Sequence, residues 1–204
     1  MSEDRFDLSV GLLCLDFSNS MDWHASAKPQ DRLQDYSDLV AWGEAAGVLT
    51  AARARYLERL TEARTAESAA AFTRAVDLRE AVYRIFSSIA QEGDSQSADL
   101  AVLNDLLTEA MSHLKISKSS GGFTWDWFGS SEAFDQISWP IARSAAELLT
   151  SDKLGRVRHC ADDRGCGMLF LDTSKNKSRR WCSMESCGNR AKAKRHYQRA
   201  KSRG

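Results

Sequence analysis

The chain has 204 residues, enough for one large domain or two smaller ones, and its apolar and charged fractions are those of an ordinary globular protein. No apolar run approaches the roughly 20 residues of a membrane-spanning helix, and the first residues are acidic where an export signal would be basic. The 28 basic and 28 acidic side chains are unevenly placed: residues 152–204 hold 15 Lys+Arg and 5 Asp+Glu, leaving 13 and 23 for residues 1–151. These features exclude a membrane partner and point to a cytoplasmic protein in two parts. An acidic segment over 1–151 joins a basic, anion-seeking segment over 152–204, and the boundary falls near Leu149–Gly155 where a helical pattern stops.

In chain order, RFDLSVGLLCLDF over 5–17 is read as one or two short buried strands, although period alone does not settle it. Cys14 lies among Leu12, Leu13, Leu15 and Phe17 as a small buried hydrophobe. Residues 22–34 read as a loop. Ser37 is the expected cap of a helix carrying Leu39, Trp42 and Ala46, which stops near Gly47. Thr50 caps the next, with Tyr56, Leu57 and Leu60 on one side. Over 66–91, Phe72, Val76, Leu78, Val82, Ile85, Phe86 and Ile89 recur at three and four, a broad apolar face suited to the middle of a bundle. Ser97 or Asp99 starts a further helix through Leu103 and Leu107. Alternation around Ser120-Gly121-Gly122 then predicts a β-hairpin with Phe123, Trp125 and Trp127 on one face. Ser138 is the expected cap of a helix with Pro140 in its first turn and Ile141, Ala145 and Leu148 beyond. The expected class is α+β, mainly α: a helical N-terminal domain with short β-hairpins, followed by a small C-terminal module.

That module holds four of the five cysteines. Cys160 and Cys166 form one close pair, Cys182 and Cys187 another, and two close thiolate pairs suit a tetrahedral zinc ion. In a reducing compartment clustered cysteines favour metal over disulfides, and a module of this size has too little core to hold itself without a staple. Four sulfurs leave no open position, so one structural zinc is expected, with no catalytic role. His159 is read as a bystander. Between the pairs, Met168–Asp172 is read as one strand, TSKNKS as a turn, and Arg179-Arg180-Trp181 as the returning strand, with Asp172 closing the turn or pairing with a nearby arginine. A helix follows from Gly188 or Asn189, giving a treble-clef-like layout.

The stretch GCGMLFLDTSKNKSRRWCSMESCGNRAKAKRHYQR closely resembles the bacterial CGNR zinc finger, whose name quotes Cys187-Gly188-Asn189-Arg190. GLLCLDFSNSMDW, SDLVAWGEAAGVL and WPIARSAAELLTSDKLGRVRHC resemble the ABATE domain that usually precedes it, a family associated with stress-induced transcription regulation. The resemblance implies zinc at Cys160, Cys166, Cys182 and Cys187 and a DNA-binding regulatory role.

Residues 175–204 contain 11 Lys+Arg and one acid, Glu185. On a helix from Asn189, Ala193, Tyr197 and Ala200 share the side expected to meet the hairpin. Lys192, Arg195 and Arg199 share another, with Arg203 in line, and Arg190, Lys194 and Lys201 flank the apolar stripe. Separate basic edges suit a duplex groove, and Arg179 and Arg180 extend the phosphate footprint. Double-stranded DNA is therefore the expected partner. Asn189 and Arg190 also have local uses, as a helix cap and as a donor around the zinc loops. In the N-terminal part Asp16, Asn19, Trp23 and His24 are the candidate pocket for a small-molecule effector, with turn and cap chemistry as their local alternative. The tryptophan-rich hairpin is a candidate homodimer interface or a piece of core. No GxSxG or HExxH pattern occurs, and no catalytic residue is expected. The leading expectation is a DNA-binding transcription regulator. The alternatives are an RNA- or protein-interaction module, and a small-molecule-binding N-terminal domain whose zinc is only structural.

Overall fold

The computed structural model describes residues 5–129 and 132–201; Arg203 lies outside them. The N-terminal apolar run folds as a short helix, α1 (Leu13–Ser18), and not as strands. Five consecutive residues from Cys14 to Ser18 are buried against the helices Thr65–Ala90 and Ser138–Leu149 and the strand Leu169–Leu171, but no strand pairs with them, so local bonds satisfy the chain. Asp16 N–H donates to the Leu12 carbonyl at 2.9 Å and Asn19 N–H to Leu15 at 2.9 Å. Cys14 is fully buried, and burial pushes its thiol up to about 12.

The stretch read as loop contains two tiny antiparallel strands, β1 (Met21–Asp22) and β2 (Gln30–Asp31). Helix α2 (Tyr36–Ala45) is capped by Asp35, which accepts from Asp38 N–H at 3.0 Å, so Ser37 lies inside the first turn and not at its start. Gly47, at φ 71°, ends it. Thr50 caps α3 (Ala51–Ala63) as expected, accepting from Arg53 N–H at 3.2 Å. Helix α4 (Thr65–Ala90) carries Leu78, Val82, Ile85 and Phe86 fully buried, and α5 (Ser97–Ser112) packs beside it. Asp99 is not a cap: it receives Arg84 Nη2 at 2.6 Å. Strands β3 (Leu114–Ser119) and β4 (Gly122–Trp127) form the expected hairpin, paired from Ser119↔Gly122 to Leu114↔Trp127. A 3-10 turn over Phe134–Ile137 runs into α6 (Ser138–Leu149), so the buried Ser138 lies within the helix and its hydroxyl caps nothing.

Strands β5 (Val157–His159) and β6 (Leu169–Leu171) pair antiparallel, with Val157 opposite Leu171. This changes the expected hairpin. The partner of the 169–171 strand precedes the first cysteine, and 179–181 is not a strand. The buried Asp172 carboxylate takes Ser174 N–H at 2.9 Å and Arg179 N–H at 3.0 Å, which ties 173–179 into a compact loop. One turn of π-helix over Met184–Gly188 leads into α7 (Asn189–Lys201).

One apolar core serves nearly the whole chain. Phe17 and Trp42 meet at its centre, ring centroids 4.8 Å apart, and Val157 and Leu169 from the C-terminal hairpin are buried in the same cluster. Within that layer Arg79 is also buried, its guanidinium doubly paired with Asp31 at 2.6 and 2.7 Å and its Nε 3.0 Å from Glu80. Among the described residues no helix is long and apolar enough to cross a membrane.

Candidate metal centre

Cys160 directly follows β5 and Cys166 lies three residues before β6, so the first pair occupies the loop joining these strands. The 173–181 segment folds back over that loop, with Ala161 N–H donating to the Arg180 carbonyl at 2.9 Å, and delivers Cys182. Cys187 comes from the π turn, whose start is held by Ser183 Oγ accepting from Ser186 N–H at 3.3 Å. The four sulfurs lie within 4.8 Å of one another, with Cys166–Cys182 at 3.8 Å and Cys182–Cys187 at 3.6 Å. Four thiolates at the usual zinc–sulfur length of about 2.3 Å stand about 3.8 Å apart on a tetrahedron, so the donor set fits a closed zinc site. Without a cation four such groups cannot all ionise. Hydrogen bonds from Cys166 and Cys182 hold the Cys160 thiol far below its ordinary value, and the same bond pushes Cys166 up to about 12. A dication resolves that conflict by taking every ligand as thiolate.

An arginine reaches one of the sulfurs directly. Arg190 Nη2 lies 2.8 Å from Cys187 Sγ and 2.9 Å from the Asp162 carboxylate, and its Nε is 3.1 Å from the same oxygen. Of its two expected roles, the local one is filled. Asn189 does not cap: its amide donates to the Glu185 carbonyl at 3.1 Å. Asp162, buried and also within reach of Arg164, is a residue that the sequence reading misses. Its signal is an acidic pair inside the most basic segment, separated from a ligand by one residue.

The four residues considered as an effector pocket are spread along the seam between α1, α4 and the cysteine loops. Asn19 grips the Leu169 backbone in both directions, donating to its carbonyl at 2.8 Å and accepting from its N–H at 2.9 Å. Trp23, at φ 55°, lies 5.2 Å from the guanidinium carbons of both Arg164 and Arg190. His24 bonds Glu80 at 3.0 Å and stacks on Tyr83 at 3.5 Å, while Tyr83 reaches His159 at 3.2 Å. Asp16 accepts from Val10 N–H at 3.1 Å, and burial pushes its carboxyl up to about 6. The first cysteine loop presses on the same seam. A Cβ on Gly165 would lie 2.6 Å from Ser26 Cα, and one on Gly167 2.6 Å from Ala25 N, so only glycine fits this approach.

Helix α7 buries no side chain. Its Ala193–Tyr197–Ala200 stripe does not pack on the hairpin, because β5 and β6 are already covered by α1 and α4; Tyr197 is 71% exposed. Of the proposed contact residues, Arg179 donates to the Trp181 carbonyl at 3.0 Å and also reaches the Cys182 carbonyl, and Lys194 pairs with Asp163. Arg180 and Arg195 lie over Trp181 at 5.4 and 6.0 Å, while Lys192 and Arg199 are exposed.

A closed four-cysteine site in a knuckle–loop–knuckle–helix arrangement defines a structural zinc finger of treble-clef-like form, seated on a mainly helical body. Residues 11–152 match the ABATE family, described as "Putative stress-induced transcription regulator", and residues 156–200 match the CGNR zinc finger. The chain belongs to the ABATE family and carries a CGNR zinc finger whose zinc is held by Cys160, Cys166, Cys182 and Cys187. Neither is an enzyme family. No curated protein matches the chain.

Proposed function

We propose that this protein is a DNA-binding transcription regulator in which zinc fixes the start of a basic helix and the acidic unit over 1–151 seats it. The observation that carries this reading is that α7 buries nothing and presents cations along its length. The basic side chains divide by role. Arg190, Lys194 and Arg179 are bound to Asp162, Asp163 and backbone carbonyls, which orients the helix. Arg180, Lys192, Arg195 and Arg199 form the footprint offered to phosphates. Zinc supplies charge neutralisation and a fixed crossing of the two cysteine loops, and the protein's own cations do the binding. Asn19 and Trp23 serve as couplers between the two parts, while Asp16 and His24 brace the N-terminal side of the same seam, so any effector would act by shifting it.

The test is duplex binding by the zinc-loaded full chain, measured by fluorescence anisotropy across a salt series with and without chelator. Four phosphate contacts predict a slope of log K against log salt of about −4. Substituting Lys192 and Arg195 by Ala should reduce the slope by about 2 without changing zinc content. Binding indifferent to salt and chelator, or none at low salt, would overturn the reading. Preference for single strands would instead favour an RNA partner.

A further inference from the structure

The β3–β4 hairpin projects from the helical body. Among the described residues no other helix or strand packs along it beyond isolated contacts, and its sheet has only these two strands. Its base is anchored where Trp127 approaches Trp139 at 6.1 Å, and Arg143 lies 4.9 Å from the Trp125 ring. Beyond that, one face exposes Ile116 at 63%, Phe123 at 79% and Trp125 at 53%. A lone two-stranded ribbon is at best marginally stable in water, so a hairpin of two six-residue strands carrying this much exposed apolar surface calls for a cover.

The two edges differ. Strand β3 carries Lys115 and Lys118, the usual guard against edge pairing, whereas β4 (GFTWDW) carries no lysine, arginine or proline. The direction of the backbone groups follows from the ladder. Phe128 N–H donates to the His113 carbonyl at 2.9 Å, making 113–128 a hydrogen-bonded pair; stepping by two places 115–126, 117–124 and 119–122 in the same class. Asp126, Thr124 and Gly122 therefore turn their backbone groups toward β3. Phe123, Trp125 and Trp127 turn theirs to the open edge.

We propose that β4 is a self-pairing edge, through which two copies of this chain join their hairpins into one four-stranded antiparallel sheet. A two-fold axis perpendicular to the sheet keeps the aromatic faces on the same side, and centring it on Trp125 gives the register that overlaps the most of the edge. Trp125 then meets its own counterpart, Phe123 meets Trp127 of the second copy, and Thr124 meets Asp126. These aromatic pairs fall at the positions whose backbone groups point outward, so the bonding parity and the side-chain match agree. The charges choose the edge as well, because joining β3 to β3 would gather four lysines while β4 to β4 brings the carboxylate of Asp126 beside a threonine hydroxyl. The contact is isologous and closes at two copies.

The experiment is the solution mass of the zinc-loaded full chain by sedimentation velocity over a wide concentration range. A two-chain species that grows with concentration is expected. Trp125→Glu sets two like charges face to face, and Trp125→Pro removes the outward N–H without touching the β3 ladder; each should abolish that species with an unchanged helical spectrum. Lys118→Ala, on the other edge, should leave it intact. Hydrogen exchange on the unaltered chain gives a reading free of misfolding: the amides of Phe123, Trp125 and Trp127 should slow as concentration rises. A single-chain mass throughout, a two-chain species that survives both Trp125 substitutions, or edge amides indifferent to concentration would overturn the proposal. So would a monomer whose hairpin instead binds lipid vesicles.

Discussion

The helical body and the cysteine module are held by different forces, although they share a core. Around α4 the body buries Trp42, Phe17, Leu57, Phe86 and Ile141, together with the Arg79 guanidinium, which is paired with Asp31 and Glu80. The module past His159 has an apolar cluster built on Cys160, Phe170 and Cys187, two of which are ligands. Burial at about 25 cal/mol per Å2 stabilises the first and cannot stabilise the second. What the module lacks in core it takes from the metal and from the seam built by Asn19, Trp23, Gly165 and Gly167.

The largest expected effect separates the two regions outright. Chelation, or Cys187→Ser, should disorder 160–201 while the body keeps most of its helical signal, since zinc contributes on the order of 10 kcal/mol in such modules. Far-UV dichroism with residue-resolved exchange checks this, and collapse of the whole chain would break the comparison. Asp31→Ala strikes the body instead. It leaves the Arg79 guanidinium, 1% exposed, with only part of its counter-charge, and should cost about 3 kcal/mol in denaturant unfolding without loss of zinc. Asn19→Ala acts on the seam. It orphans the buried Leu169 N–H and carbonyl, at about 2 kcal/mol, and should raise exchange in β5 and β6 before α4.

The smallest effect depends on pH. Burial pushes Asp16 up to about 6 from 3.8, so between these values the folded chain holds a proton that the unfolded chain has released. Stability from this group is whole below pH 3.8 and is lost as pH rises through about 6. Asp16→Asn should therefore raise the melting temperature at pH 8, by up to about 2 kcal/mol of stability, with the gain shrinking toward about pH 4. An equal gain at both ends would show that the carboxyl does not titrate there.

Much of this was legible in the residues. The ligand set, Thr50 as a cap, the apolar face of α4 and the 114–127 hairpin follow from spacing and side-chain chemistry that act locally. The differences arise where distant packing decides. Leu13–Ser18 is paired with no strand and closes its own hydrogen bonds as a helix. Strand β6 pairs with residues ahead of the first cysteine because Asp172 spends 173–179 on a loop. Asp35 outcompetes Ser37 by one carboxylate aimed at Asp38 N–H, and no periodicity distinguishes the two. The grip of Asn19 on Leu169 spans 150 residues, beyond any local pattern.

Zinc-edge X-ray absorption on the purified full chain tests the central claim, that the metal is a closed staple and not a reactive centre. Four sulfur neighbours at about 2.3 Å, one zinc per chain, and no nitrogen or oxygen bound to the metal are predicted. A light-atom ligand, or a set of three sulfurs with an open position, would contradict it.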